Sequence, residues 1–590
     1  MGRKDNIAGD GRRELQNGIT TLFLIYMGAA YPLIMHDKYF DITVTKYRAF
    51  YIALCIYAVL MVLAVLVDVL GRNVSTGHGQ RSSGGNVDVS EGAAHGSRFI
   101  GRLRRFIDLH KIMAMDIFMA GFVLANVLAF FMSGNKVAAY TGEEGRRCGL
   151  QFVLLAFFLY VCMARYCRIR RYVVVIFMLA GSFVGICQFM GYDFLGLREG
   201  LMQSIRNVYI STFGNIDIFA SFLCVLVPMA AGAYISSEGK ESIVIRITAV
   251  IAVLTGTGAV IISNANLAYA GVGGAMIAAW IWASYRGRIR KFADVCLVMA
   301  CGVLAISIML GQTDGGYSEL DGLSCFVSDS RVVWIVSVVV LVVWAAIRLA
   351  SKWTVKFRGK AALAVSVGVS LAGIVAVVIY AAHNHMGIFS FEDSWGNYRG
   401  FVWRRLMEAY RDFSVPQRLF GYGNESVKAI MTDRYYDDMM NTVGVIYDNA
   451  HNEYLQYLIT TGIFGAVSYV GLLVITGGAL VRTAVSGAVM NENESMSSQS
   501  AEKRSKEKAA SRDSRTVRGS KTGTGLECLL GYAEDEGSMI AVLLGITGYA
   551  VQAFVNLNQS LTTPYIFLLI AMAGGLCRRY RCRSEIGGRK

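Results

Sequence analysis

One histidine stands at the mouth of a long apolar run, and an arginine-rich segment precedes it. The run Asp448-Asn449-Ala450-His451-Asn452-Glu453-Tyr454-Leu455-Gln456-Tyr457-Leu458 leads into hydrophobic sequence. Asp448 or Asn449 is the expected N-cap of a helix there. At helical spacing, His451, Leu455, Leu458, Gly462 and Gly465 share one line, so the imidazole is expected to face the protein interior. Small residues on that line let a neighbouring helix approach closely. Upstream lie Arg399, Arg404, Arg405, Arg411 and Arg418. Guanidinium forks bind phosphate oxygens through paired hydrogen bonds. An imidazole takes a proton from a hydroxyl at neutral pH. Together these groups suit a diphosphate leaving group and an acceptor hydroxyl. A lone histidine is more often structural, and the His383-Asn384-His385 pair reads as ordinary polar loop sequence before it reads as a metal site.

The elements that must hold these residues are membrane helices. The 590-residue chain is 54% hydrophobic and 17% charged, against roughly 25% charged in soluble domains. Its apolar residues fall into runs of about 20, the length that crosses the hydrocarbon layer. Backbone in lipid must satisfy itself, so such runs are helical. The expected spans are 17–35, 47–71, 111–133, 150–164, 172–191, 215–236, 243–262, 267–285, 292–311, 332–350, 361–382, 452–481, 538–556 and 563–577. The fold class is an all-α integral membrane protein of 12 to 14 helices, fourteen as counted here.

The net charge of +15 does not point to nucleic acid, because Lys and Arg gather in loops on one side. Segments 165–171, 286–291, 348–360 and 578–583 carry them. That bias puts both termini in the cytoplasm. The N-terminus reads as a retained first span, with no clear cleavage site. The twelve cysteines are scattered, mostly within spans, and read as small apolar fillers.

Segments 72–110 and 487–535 are polar and read as disordered inward insertions. Segment 383–451 is outward, aromatic and basic, a composition that folds. Within it, Asn397 to Phe413 reads as an amphipathic helix with Phe401, Leu406 and Tyr410 on its apolar side. The expected divisions are 1–200, N-terminal helices; 201–482, the catalytic membrane region; 483–537, a disordered insertion; and 538–590, a final helix pair with a basic tail.

His451-Asn452, nine residues, then Gly462-Ile463-Phe464-Gly465 resembles the hallmark of the O-antigen ligase and O-antigen polymerase-like membrane proteins. Tyr454-Leu455-Gln456 lies within it. Thr212-Phe213-Gly214-Asn215 resembles a second motif of that family. Arg399 to Trp403 resembles its Arg-x-x-x-Trp segment, and Leu419-Phe420-Gly421-Tyr422-Gly423 its glycine stretch. The resemblance implies a metal-independent, inverting glycosyltransferase without a cofactor. Its donor would be an undecaprenyl-diphosphate-linked glycan, and its acceptor a glycan, lipid or cell-wall group at the outer membrane face. Carried over, Arg399 binds the diphosphate and His451 activates the acceptor. Arg331, Arg404, Arg405, Asn215, Asn452 and Tyr454 are expected on the substrates, with Gly214, Trp403, Gly421, Gly423, Gly462 and Gly465 structural. One departure stands out. Where the family has Ser-Arg-Gly, this chain reads Ser263-Asn264-Ala265-Asn266-Leu267, and Ser330-Arg331 is the candidate substitute. A transporter or flippase is the competing reading, but Asp68 and Asp217 lie near span ends and no internal repeat is evident. A third reading is a structural or sensory membrane protein working through its long inner segment.

Overall fold

The computed structural model describes residues 14–77, 112–166, 171–186, 196–203, 205–237, 243–312, 320–350, 358–383, 391–509 and 536–587. It is helical apart from one two-stranded ribbon. The helices are α1 (Glu14–Ile25), α2 (Ile42–Gly77), α3 (Ala114–Met132), α4 (Lys136–Thr141), α5 (Leu150–Tyr166), α6 (Arg171–Ile186), α7 (Ile216–Ser236), α8 (Ile243–Ile262), α9 (Asn266–Tyr285) and α10 (Ile289–Gln312). They continue as α11 (Gly322–Ser328), α12 (Ser330–Leu349), α13 (Lys360–His383), α14 (Trp395–Arg411), α15 (Val415–Phe420), α16 (Val427–Thr442), α17 (Glu453–Ala509), α18 (Glu536–Gln552) and α19 (Thr563–Gly587).

A helix stands at each expected span. Among the described residues, nine are long and apolar enough to cross a membrane, and three further apolar helices have 10–17 residues. The chain is therefore a polytopic, all-helical membrane protein. Helix α17 continues past residue 483, where the insertion was expected to begin, and residues 510–535 of that insertion lie outside the described residues. Of the expected insertion 72–110, helix α2 takes the residues to Gly77, and the rest is likewise outside.

Helix α7 forms the centre, with 94% of its apolar window buried. Its close contacts depend on small residues. A Cβ on Gly548 of α18 would lie 2.0 Å from the Cys224 carbonyl oxygen of α7. Pro228 stands four residues after Cys224 and lacks the N–H that would bond that carbonyl. The glycine thus fits against the turn that proline leaves open. Gly271 of α9 meets the same place, where a Cβ would be 2.4 Å from the Cys224 sulfur. Between lipid-solvated helices such close packing replaces the hydrophobic drive available in water.

Helices α14, α15 and α16 form a compact cap with its own core. Phe401, Val402, Leu406, Ala409 and Phe413 pack with Val427, Ile430, Met431 and Met439, and Ala450 and Ile459 close the cluster. The expected amphipathic helix is present, but regular geometry begins only at Arg399. Gly396, Asn397 and Tyr398 all take left-handed backbone angles, with φ of 58°, 57° and 65°. The ribbon, Tyr209–Ile210 against Gly214–Asn215, leads into α7.

Candidate functional site

The loop that carries His451 is fixed by its own side chains. Asn449 Oδ1 accepts the His451 N–H at 2.8 Å. His451 takes φ +45°, so it stands off the helix that follows. Asn452 is the N-cap: its Oδ1 accepts the N–H groups of Tyr454 and Leu455, each at 3.0 Å. This corrects the expected cap at Asp448 or Asn449, and it removes His451 from the helical line. Trp403 Nε1 donates to the Ala450 carbonyl at 2.8 Å, and the Ala450 N–H donates to Gln456 Oε1 at 2.9 Å. The Glu453 N–H reaches the Ala553 carbonyl at 2.9 Å, tying the loop to the end of α18.

The imidazole is partly buried, and its Nδ1 is enclosed without a hydrogen-bond partner. Tyr447 packs edge-on against the ring at 5.2 Å. The Tyr447 hydroxyl donates to the Asn397 carbonyl at 3.1 Å, within the left-handed segment that precedes Arg399. Burial, then the positive charges of Arg399 and Arg146, push His451 down to about 3, against the pull of Asp448. The ring is therefore neutral at physiological pH and can accept a proton, but burial and its cationic neighbours keep it a weak base.

Arg399 makes an ion pair with Asp217, Nη2 to Oδ2, at 3.1 Å, and both side chains are partly exposed, 18% and 25%. Asp217 is held by its backbone. Its N–H donates to Asn215 Oδ1 at 2.8 Å, and its carbonyl accepts Asn556 Nδ2 at 3.1 Å. Asn556 also reaches Ser221 and Gln552.

The second cation is Arg146, which is 1% exposed. It pairs with the buried Glu425, and its Nη2 donates to the Asp448 carbonyl at 3.2 Å. Its Nη1 points to Asn558 Oδ1 at 3.4 Å. Burial opposes the charge on Arg146, but Glu425 and Asp448 outweigh it, so its pKa is raised. Burial also raises the Glu425 pKa, countered by Arg146. Arg146, Glu425, Asp217 and the side chain of Asp448 were not among the expected site residues. Arg146 and Arg147 stand together in the short segment between α4 and α5, which was the available signal. Nothing near Glu425 in sequence points to Arg146.

The glycines interlock. Helix α17 breaks at Gly462, with φ +68° and ψ −173°. The break frees carbonyls that Tyr422 and Gly423 satisfy: their N–H groups donate to Ile459 at 2.9 Å and Thr460 at 3.2 Å. A Cβ on Gly421 would lie 2.0 Å from the Thr460 carbonyl oxygen, and one on Gly462 2.4 Å from Leu419 backbone. One on Gly423 would strike Ser133, and one on Gly465 would meet Thr461 and Ala125. Gly214 turns the ribbon at φ +85°.

The structure brings His451 and Arg399 into one electrostatic site. The other expected binding residues make contacts within the protein. Asn215 and Asn452 cap helices, and the Tyr454 hydroxyl donates to the Ala550 carbonyl at 2.6 Å. Arg404 pairs with Asp393 at 3.1 Å, and Arg405 with Glu408 at 2.9 Å and Asp438 at 3.0 Å. Arg331 opens α12 as an exposed residue, its backbone N–H on Asp329, and the cations acting on His451 are Arg399 and Arg146 instead. At the departure, Asn264 takes φ +54° and its Oδ1 accepts the Asp321 N–H at 2.5 Å. His383 is exposed, and His385 lies outside the described residues.

Residues 317–470 match the family model described as O-antigen ligase. The match takes in α14 with Arg399, the cap, the His451 loop and the break at Gly462. A comparison with curated proteins gives no match.

Proposed function

Because this polytopic membrane chain is O-antigen ligase-like over residues 317–470, we propose that it transfers a glycan from a polyprenyl-diphosphate carrier to an acceptor hydroxyl at the outer membrane face. The family match supports a glycan-transfer role in polysaccharide assembly and a glycosyltransferase-like enzyme. The finer reading comes from the side chains. Arg399 turns to the diphosphate, and the imidazole of His451 faces the acceptor. The acceptor oxygen bonds to the anomeric carbon as the bond from that carbon to the diphosphate oxygen breaks. The electron pair leaves with the carrier diphosphate, and the acceptor proton passes to the imidazole. Attack from the side opposite the leaving group inverts the anomeric centre. Charge growing on the leaving group is what the enzyme must stabilise, and a guanidinium already turned to the diphosphate on binding does so in a partly dry pocket. The carrier's undecaprenyl chain lies among the helices, with the glycan under the cap, and the enzyme sits in a bacterial cytoplasmic membrane.

The observation that carries the proposal is the buried, unpartnered Nδ1 of His451 in the field of Arg399. Donor binding would change that field. The diphosphate adds negative charge beside Arg399 beyond that of Asp217, and the imidazole regains basicity when the donor is in place. The test uses purified protein in nanodiscs with a polyprenyl-diphosphate-linked oligosaccharide and its acceptor. His451→Ala should abolish product while leaving donor binding measurable. Product formation by that variant at the wild-type rate would remove the imidazole from the mechanism. Mass analysis of surface glycans in a deletion strain separates the two transfer classes: a single repeat on its carrier or anchor identifies a polymerase, and full-length polymer on the carrier a ligase.

A further inference from the structure

Asp217 presents a carboxylate to the arginine that, on the reading above, must receive an anion. In the structure Asp217 occupies Arg399. A carboxylate beside a diphosphate site is repulsive, so its presence there requires a physical reason.

The two partners differ in how they are held. Asp217 sits in the first turn of α7, the most buried of the candidate spans. Its backbone is fastened on both sides, by Asn215 and Asn556. Arg399 follows three residues in left-handed geometry at the start of the cap. When Arg399 turns to another anion, Asp217 cannot follow, and the pair must open. The other cation near His451 offers no alternative, since Arg146 is enclosed by Glu425 and Asp448. Arg399 is thus the accessible cation, and its counter-ion is built in.

The charges of donor and product explain the use of such a counter-ion. In the donor both phosphates are esterified, and each carries one negative charge. After transfer the terminal phosphate is free, and its second ionisation, near pH 6, adds most of another charge at pH 7. A guanidinium alone would hold the spent carrier more tightly than the donor. A fixed carboxylate penalises the extra charge and takes Arg399 back. We propose that Asp217 is the resident competitor of the carrier diphosphate: it yields Arg399 to the donor and reclaims it from the product, so that release is built into the site. This inference rests on the glycan-transfer reading of Arg399 and assigns Asp217 a positioning role, not a reacting one.

The probe is geranylgeranyl diphosphate, a short prenyl diphosphate, binding to the full chain in nanodiscs. Asp217→Asn keeps shape and removes charge. Its affinity for the probe should rise roughly tenfold. Its single-turnover rate with saturating donor should stay within about threefold of wild type, while multiple turnover slows and becomes sensitive to added probe. Asp217→Ser is read the same way, and Asp217→Glu should restore release. Weaker probe binding, or a collapsed single turnover, would make Asp217 an anchor for Arg399 and overturn the inference. So would failure of both uncharged variants to fold. Failure of the underlying reading looks different: Arg399→Gln would leave probe binding unchanged whatever Asp217 does.

Discussion

At the scale of single residues, the site is a contest between burial and charge. His451 is neutral because burial, Arg399 and Arg146 all oppose its protonated form. The consequence for pH can be worked out. In the unfolded chain the imidazole takes up a proton near its ordinary value of 6.5, and in the folded chain only near 3. Between those values the unfolded state binds more protons, so acid favours unfolding. The contribution of His451 to stability is full above about 6.5 and is lost as pH falls toward 3. His451→Gln should therefore flatten the fall in Tm between pH 6.5 and 4, read by thermal melts in detergent. An unchanged slope would mean that the ring titrates normally. Arg399→Lys gives a second prediction at this scale. An ammonium cannot form the paired contact with phosphate oxygens, so probe binding should weaken by about tenfold or more, measured by calorimetry. The histidine and this arginine were legible in sequence because each stands in a recognisable local pattern. Arg146 was not, since its partners Glu425 and Asp448 are brought to it only by the fold. By residue type alone Arg404 and Arg405 look equal to Arg399. Only the helix that begins at Arg399 turns them toward Asp393, Glu408 and Asp438 instead.

At the scale of elements, the decisive device is the broken helix α17. In a straight helix Tyr457 and Tyr469 would be ~18 Å apart along the axis. Their ring centroids are 4.6 Å apart, and Phe122 packs against both. The chain must therefore bend sharply at Gly462, and the short helix that carries the His451 loop turns away from the membrane-length part. The Leu419–Gly423 strip fills the break and satisfies its carbonyls. Sequence periodicity expected one continuous span over 452–481 and a single helical line through His451. It missed the break because a glycine inside an apolar run, at a cost of about 1 kcal/mol in propensity, is tolerated in helices and does not announce its backbone angle. The two glycine motifs, some forty residues apart, are halves of one joint. Gly421→Ala should then be as damaging as Gly462→Ala. Each puts a methyl group into backbone of the other strip and strains a positive φ, at a cost of ~1–3 kcal/mol or more for each. Thermal melts should show a marked loss for both, whereas Gly478→Ala, where a Cβ meets open space, should match wild type. Equal stability in all three would dissolve the joint.

At the scale of the whole molecule, the chain has two chemically distinct ends. One end carries the cap, the His451 loop, the Asp217–Arg399 pair and the turn where Asn264 meets Asp321. The other carries basic residues tied down by partly buried acids. Arg348 and Trp344 meet Asp294 there, and Arg578 and Tyr160 meet Asp116. The Gly359 N–H donates to the Tyr285 carbonyl at 2.8 Å, which brings the loops after α9 and α12 together at that end. Lys and Arg density gives the expected orientation, with the end rich in them facing the cytoplasm. The fold fixes which residues share an end, and the charge bias sets the expectation of which end faces out. Their combination predicts a labelling pattern. In a background with all twelve cysteines replaced, a membrane-impermeant thiol reagent applied to intact cells should label Asp437→Cys, an exposed cap position. It should leave Arg358→Cys, also exposed, unlabelled until the membrane is opened. Labelling in the reverse order would put the imidazole on the cytoplasmic side, where a glycan already moved across the membrane could never reach it.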